Sequence, residues 1–203
     1  MFEILTVCTG NVCRSPLAEL LLRSKLSGLP GRIHSAGTYD LGSAPMTTQA
    51  QQLAVQHGVS AQLAAAHRSQ SLFDQDLTSP DLILVMTRSH RRDVLELMPT
   101  RMRSVFTIRE FARLARTCTD VAIITAARQA EREPSARLRA AVGVVASIRG
   151  MGQAAPADPT DDDVTDPYRR SWETYQLSAN QLIPAVDEVA RIVRLAATNR
   201  PDQ

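Results

Sequence analysis

Val7-Cys8-Thr9-Gly10-Asn11-Val12-Cys13-Arg14-Ser15-Pro16 follows directly on the apolar run Phe2-Glu3-Ile4-Leu5-Thr6-Val7. A strand runs into a short polar loop, and a helix opens straight after it. Gly10 and Asn11 are residue types that enter positive φ readily, so successive backbone N–H groups there can curl around an anion. Ser15-Pro16 is a good helix opening, with a hydroxyl that can cap and a proline whose missing N–H would have had no helical partner. The positive end of that helix points back at the loop. Together with Arg14, these surroundings favour the thiolate of a cysteine at the rim, which makes Cys8 the expected nucleophile. The planar fork of Arg14 can hold two oxygens of a transferring phosphoryl group while Cys8 attacks the phosphorus. The Ser15 hydroxyl can donate to the Cys8 sulfur and ease its later departure. The expected phosphate-binding set is therefore Thr9, Gly10, Asn11, Val12, Cys13, Arg14 and Ser15.

Outward from this loop, Pro16 to Ser27 carries Leu17, Leu20 and Leu21 with polar residues between them, the pattern of an amphipathic helix. Arg32 to Gly37 reads as a second strand, which completes a βαβ unit. Thr47 to His57 reads as a helix ended by Gly58. Asp81-Leu82-Ile83-Leu84-Val85-Met86 is a continuous apolar run of the kind found in the middle of a parallel sheet. A helix opens behind it at Thr87-Arg88-Ser89-His90 and continues to Pro99. Ser104-Val105-Phe106-Thr107 reads as the last strand, and Ile108 begins another helix. Trp172, Tyr175, Ala179, Leu182, Val186, Val189 and Val193 recur at spacings of three and four, which predicts a long amphipathic helix kinked or divided at Pro184. Asn199 to Gln203 should fray. The fold class is α/β: three layers, with a four-stranded, mostly parallel sheet between helices.

The 203 residues suit one domain, and the net charge of +2 gives no nucleic-acid footprint. No charged segment followed by a long apolar one opens the chain, so neither a signal peptide nor a membrane partner is expected. Three cysteines, two of them in the loop, argue against a disulfide scaffold and for a reducing, cytoplasmic setting.

The whole context of the loop, from apolar strand through Cys8, Gly10-Asn11 and Arg14 to Ser15-Pro16, resembles the signature of the low-molecular-weight protein tyrosine phosphatases. The resemblance implies hydrolysis of phosphotyrosine monoesters through a cysteinyl phosphate, without metal or other cofactor. It implies a phosphotyrosine-containing protein as partner, with a bacterial tyrosine kinase as a candidate. Asp166-Pro167-Tyr168 matches the family's catalytic loop, so Asp166, rather than the Asp158 of the other Asp-Pro pair, is the expected general acid, and Tyr168 the aromatic that flanks a bound phosphotyrosine ring. The loop after the second strand supplies a cleft wall in the family, here by Tyr39 or Leu41. His67 matches a histidine that supports the phosphate loop through Asn11 and Ser43. Where many members have an acidic residue, this chain has Thr87, and Arg169 replaces a second aromatic. Cys13 is close enough to trap an oxidised Cys8 as a disulfide, or is a small buried residue under the loop.

The resemblance stops between about residues 115 and 163. Two helical patterns lie there, Val121 to Glu133 and Ser135 to Arg149, expected as a helical hairpin beside the active-site mouth within the single domain 1–203. Cys118, inside this stretch, reads as a bystander thiol. Two rival functions share the loop: a thiol-dependent arsenate reductase, which needs a relay of further cysteines, and a non-catalytic binder of phosphate or phosphotyrosine.

Overall fold

The computed structural model describes residues 1–149 and 156–198. Four strands, β1 (Phe2–Cys8), β2 (Gly31–Gly37), β3 (Leu82–Val85) and β4 (Val105–Thr107), form one sheet in the order β2-β1-β3-β4. All three pairings are parallel, with Cys8 beside Gly37 and Val7 beside Val85. The first crossover is α1 (Arg14–Lys25), and α2 (Thr48–Gln56) and α3 (Ala61–Ala66) follow β2. Beyond β3 come α4 (Arg88–Leu97) and, after β4, α5 (Ile108–Thr117), α6 (Asp120–Gln129), α7 (Pro134–Ile148) and α8 (Trp172–Ala197).

Alternation along the strands builds two cores. Ile4, Leu82, Leu84 and Phe106 face α1, α5, α7 and α8, whereas Leu5, Val7, Ile83, Val85 and Val105 face Val94 of α4, and Leu77 just before β3, on the other side. Helices therefore cover both faces, as the near-continuous apolar β3 requires. The register brings the carboxyl ends of β1, β2 and β3 to one edge, where ligands of open α/β sheets bind.

One expectation is narrowed here and another corrected. Pro184 lies inside α8 without dividing it; the helix runs unbroken from Trp172 to Ala197. The hairpin of α6 and α7 is not beside the mouth of the site. Its stripe of Leu138, Ala141, Val142 and Val145 is drawn into the main core, and the start of α7 is fastened at the amino end of β3. There Ser135 Oγ donates to Asp81 Oδ1 at 2.6 Å and Arg139 Nη1 lies 2.8 Å from the same oxygen. Cys118, just beyond α5, is buried, and burial pushes its thiol pKa up. The fraying expected of Asn199–Gln203 lies outside the described residues. No described helix is long and apolar enough to cross a membrane.

Candidate active site

The loop from Cys8 to Arg14 sits at the carboxyl end of β1, pinned by both neighbours. Thr38 N donates to Cys8 O at 3.0 Å and Tyr39 N to Thr9 O at 2.9 Å. Gly37 makes this approach possible, because a Cβ there would stand 2.6 Å from Thr9 O. Asn11 alone in the loop takes a positive φ, 52°. Gly10 does not, contrary to the sequence reading; its missing side chain instead admits Leu41, whose Cδ1 would lie 2.6 Å from a Cβ.

Asn11 is held in that conformation from four directions. Its Nδ2 donates to Ser15 Oγ at 2.9 Å and to Ser35 Oγ at 2.7 Å, its Oδ1 accepts from Gln70 N at 2.9 Å, and its carbonyl accepts from His67 Nε2 at 2.8 Å. Ser43, expected in this network, is exposed in a loop at φ 63° with no bond to Asn11. Ser35 of β2 occupies the supporting place, because strand alternation turns its hydroxyl toward α1. Behind it stands a carboxylate the sequence did not single out: Ser35 Oγ donates to Glu19 Oε2 at 2.6 Å, and Glu19 is 8% exposed.

This chain of donors has a direction. Glu19 only accepts, so the Ser35 hydrogen is used on it and Asn11 must donate to Ser35. Ser15 Oγ likewise accepts from Asn11, which leaves its own hydrogen for Cys8 Sγ at 3.0 Å, with the Ala36 carbonyl more distant at 3.4 Å. Ser15 is thus not a cap. Helix α1 begins one residue earlier, at Arg14, with no side-chain cap, so its first-turn N–H groups stay available to an anion.

Arg14 is 4% exposed. Its Nη1 donates to Val164 O at 3.1 Å and its Nη2 lies 3.0 Å from Asp166 Oδ2, while its buried Nε has no hydrogen-bond partner among the described residues. Asp166 also accepts from Tyr168 N at 3.2 Å and is half-exposed. The segment carrying it is tied down upstream by the acidic run. Arg113 grips Asp162 with two bonds of 3.0 and 2.7 Å, Arg88 N donates to Asp163 Oδ1 at 2.8 Å, and Val164 N donates to Met86 O at 2.8 Å. Asp158 has a different task, accepting from Thr160 N at the start of the turn Pro159–Asp162.

A cavity of about 330 Å³ brings the parts together: Cys8, Thr9, Gly10, Val12, Cys13 and Arg14 from the loop, Tyr39 and Leu41 after β2, and Asp166, Tyr168 and Arg169 opposite. Both wall candidates, Tyr39 and Leu41, line it. Cys13 faces inward as well, its Sγ 3.4 Å from Thr47 Oγ1 and 3.5 Å from Tyr175 OH, and burial pushes its pKa up. Cys118 does not line the cavity. Among the described residues no cluster of three His, Cys, Asp or Glu is placed to hold a metal ion.

Residues 3–123 match the family model of the low molecular weight phosphotyrosine protein phosphatases. A probable low molecular weight protein-tyrosine-phosphatase, EpsP of Ralstonia solanacearum, is 38% identical over 107 residues, covering 53% of this chain and 70% of that protein. A protein-arginine-phosphatase of Geobacillus stearothermophilus is 34% identical over 111 residues, 54% of this chain and 71% of the relative. The solved low molecular weight protein tyrosine phosphatase from T. tengcongensis superposes with a TM-score of 0.62 at 26% identity, covering 93% of this chain and 97% of that one. A family match over more than half of the sequence, joined to the same fold across nearly all of it, means that this chain belongs to the low molecular weight phosphotyrosine protein phosphatase family and is a phosphatase.

Proposed function

We propose that Cys8 is the nucleophile, Arg14 the phosphoryl-binding group and Asp166 the proton donor of a protein tyrosine phosphatase. The observation that carries the assignment is the placement of Arg14 between the loop and Asp166, 3.0 Å from the Asp166 carboxylate and beside the Cys8 cavity. An entering phosphoryl group competes for the guanidinium. It loosens the ion pair that holds the Asp166 carboxylate, so the carboxyl group can turn to the leaving oxygen. The Cys8 thiolate then forms an S–P bond as the P–O bond to the phenol breaks, and the Asp166 proton passes to the phenolate oxygen. In the second step Asp166 takes a proton from water, the water oxygen bonds to phosphorus, and the S–P bond breaks to release phosphate. Ser15, donating to the sulfur, stabilises the departing thiolate.

The walls favour an aromatic substrate. Val12, Leu41, Tyr39 and Tyr168 offer apolar and ring surfaces, and Tyr168 can stack on a phenyl ring. Arg169 at the rim repels a cationic guanidinium, which argues against phosphoarginine. The thiol relay that arsenate reduction needs is not assembled, because Cys118 lies away from the cavity. A pure binding role would need neither nucleophile nor acid. The partner we infer is a phosphotyrosine-containing protein, a bacterial tyrosine kinase among the candidates, met in the reducing cytoplasm that three unpaired thiols suit.

The test is hydrolysis of para-nitrophenyl phosphate, a phosphotyrosine peptide and a phosphoarginine peptide, without metal and with dithiothreitol. Cys8→Ser should abolish turnover, Asp166→Ala should lower kcat about 10²- to 10⁴-fold, and Asp158→Ala should leave it unchanged. Turnover that survives in Cys8→Ser would overturn the mechanism, and a preference for the phosphoarginine peptide would overturn the substrate.

A further inference from the structure

One buried titratable group at the edge of the site has no part in the chemistry above. His90 lies in the first turn of α4 and is 5% exposed. Both of its ring nitrogens are engaged at 2.9 Å, Nδ1 with Thr87 Oγ1 and Nε2 with Thr9 Oγ1. The fold dictates the meeting. Val7 and Val85 pair in register and Met86 N donates to Val7 O at 3.0 Å, so the residues leaving β1 and β3 emerge side by side. Thr9 follows the nucleophile on one strand, Thr87 caps the helix behind the other, and His90 spans the gap between them.

One assignment of the hydrogens satisfies every group in this bridge within the protein. Thr87 Oγ1 accepts the His90 backbone N–H at 3.3 Å, as a helix cap does. Its own hydrogen then needs an acceptor, and Nδ1 is the one within reach. A neutral imidazole with Nδ1 accepting carries its hydrogen on Nε2, so Nε2 donates to Thr9 Oγ1. The Thr9 hydrogen is left over, on a side chain that lines the cavity with Cys8 and Arg14. The ring is neutral over the working range: burial, then Arg14 of α1, push its pKa down to about 4, and the opposing Asp166 and Asp163 do not cancel them.

We propose that His90 is a positioning residue of the phosphate site, which turns the Thr9 hydroxyl so that it donates to an oxygen of the bound phosphoryl group. The inference rests on the reading of the cavity as a phosphate site. It adds a side-chain donor at the position directly after the nucleophile, held from the neighbouring strand end, to the backbone and Arg14 donors. An anion gains more from such a donor than a neutral ligand does. Thr87 completes the device, since a residue without a hydroxyl hydrogen there would leave the ring free to take the other tautomer and turn the Thr9 hydrogen away.

The experiment measures inorganic phosphate affinity by calorimetry, with kcat and KM for para-nitrophenyl phosphate in parallel, on wild type, Thr9→Val, His90→Phe, His90→Gln and the Thr9→Val/His90→Phe double variant. Thr9→Val and His90→Phe should each weaken phosphate binding about tenfold, the usual consequence of losing a hydrogen bond to a charged group. The double variant should be no weaker than either single one, because both remove the same interaction. His90→Gln, which keeps an N–H, should recover part of the loss. The gap between wild type and His90→Phe should be the same at pH 5.5 and pH 7.5, since a neutral ring does the work at both. The proposal is overturned if Thr9→Val binds phosphate as wild type does. Losses that multiply in the double variant, or a gap that widens steeply as the pH falls through 6.5, would overturn it as well. Thr9 is exposed, so Thr9→Val decides the matter even where His90→Phe folds poorly. A wild type that binds phosphate without turnover would defeat the proposed catalytic function while leaving this series decisive, and a wild type that does not bind phosphate would defeat both.

Discussion

The Asn11 amide donates to Ser35 Oγ over 2.7 Å, and Ser35 passes its own hydrogen to Glu19 over 2.6 Å. The strained loop residue is thereby anchored to a buried carboxylate in the helix that the loop itself opens. Ser35→Ala removes both bonds, leaving Glu19 without that donor and one Asn11 hydrogen without an acceptor. Stability should fall by about 1–3 kcal/mol, and kcat on para-nitrophenyl phosphate should drop roughly tenfold as Asn11 and Ser15 lose their fixed orientation. Ser43→Ala, which touches none of these groups, should do neither. Urea denaturation and steady-state kinetics on the two variants decide which serine supports the loop.

His90 also makes stability depend on pH. The unfolded chain protonates this residue near 6.5, whereas the folded chain resists until about 4, chiefly through burial and then through Arg14. The unfolded state therefore binds more protons between those limits, and stability declines as the pH falls from about 6.5 to about 4, by at most ~3 kcal/mol from this group. His34, whose pKa is lowered by burial and by Arg32, acts in the same direction. Denaturation of wild type and His90→Gln at pH 7 and pH 4.5 should show a smaller difference between the two pH values in the variant. Equal differences would mean that His90 does not titrate as its surroundings require.

The loop from Cys8 to Arg14 was legible as a unit because its parts are neighbours in the chain: strand, turn residues, arginine and helix start follow one another without a gap. Asp166 could be picked over Asp158 only by resemblance, since nothing local says which Asp-Pro pair a distant loop will face. Ser35 was hidden in a short strand where one hydroxyl looks like any other polar position. Glu19 was hidden among the leucines of α1, where a charge reads as the helix's wet side although Ser35 and Arg23 hold it inside. His90 stood in an arginine-rich stretch that reads as a solvated face. Helical periodicity revealed the stripe of α7, but such a stripe carries no information about which end of the sheet it will reach.

That stripe supports a stability prediction. Leu138 is 1% exposed in the main core, while neither α6 nor α7 contributes a residue to the cavity. Leu138→Ala should cost about 2–5 kcal/mol, lowering Tm, with KM and kcat unchanged at a temperature where the variant remains folded. A changed KM would show that the hairpin communicates with the site.

Arg169 sits at the rim of the cavity at φ 59°, its guanidinium 5.1 Å from the centre of the Tyr168 ring and outside any described ion pair. A cation held over the ring that would flank the substrate meets the residues next to a phosphotyrosine before the phosphate is seated. Exposed charge pairs are worth about 0.2–1 kcal/mol, so Arg169→Ala should raise KM up to about fivefold for a phosphotyrosine peptide with acidic neighbours. A peptide with neutral neighbours, and para-nitrophenyl phosphate, should be unaffected. Salt should erase the difference, because screening at 1 M shortens the reach of the charge to about 3 Å. A loss equal for all three substrates would place Arg169 in the architecture of the loop rather than in the choice of peptide, and the comparison across substrates separates the two.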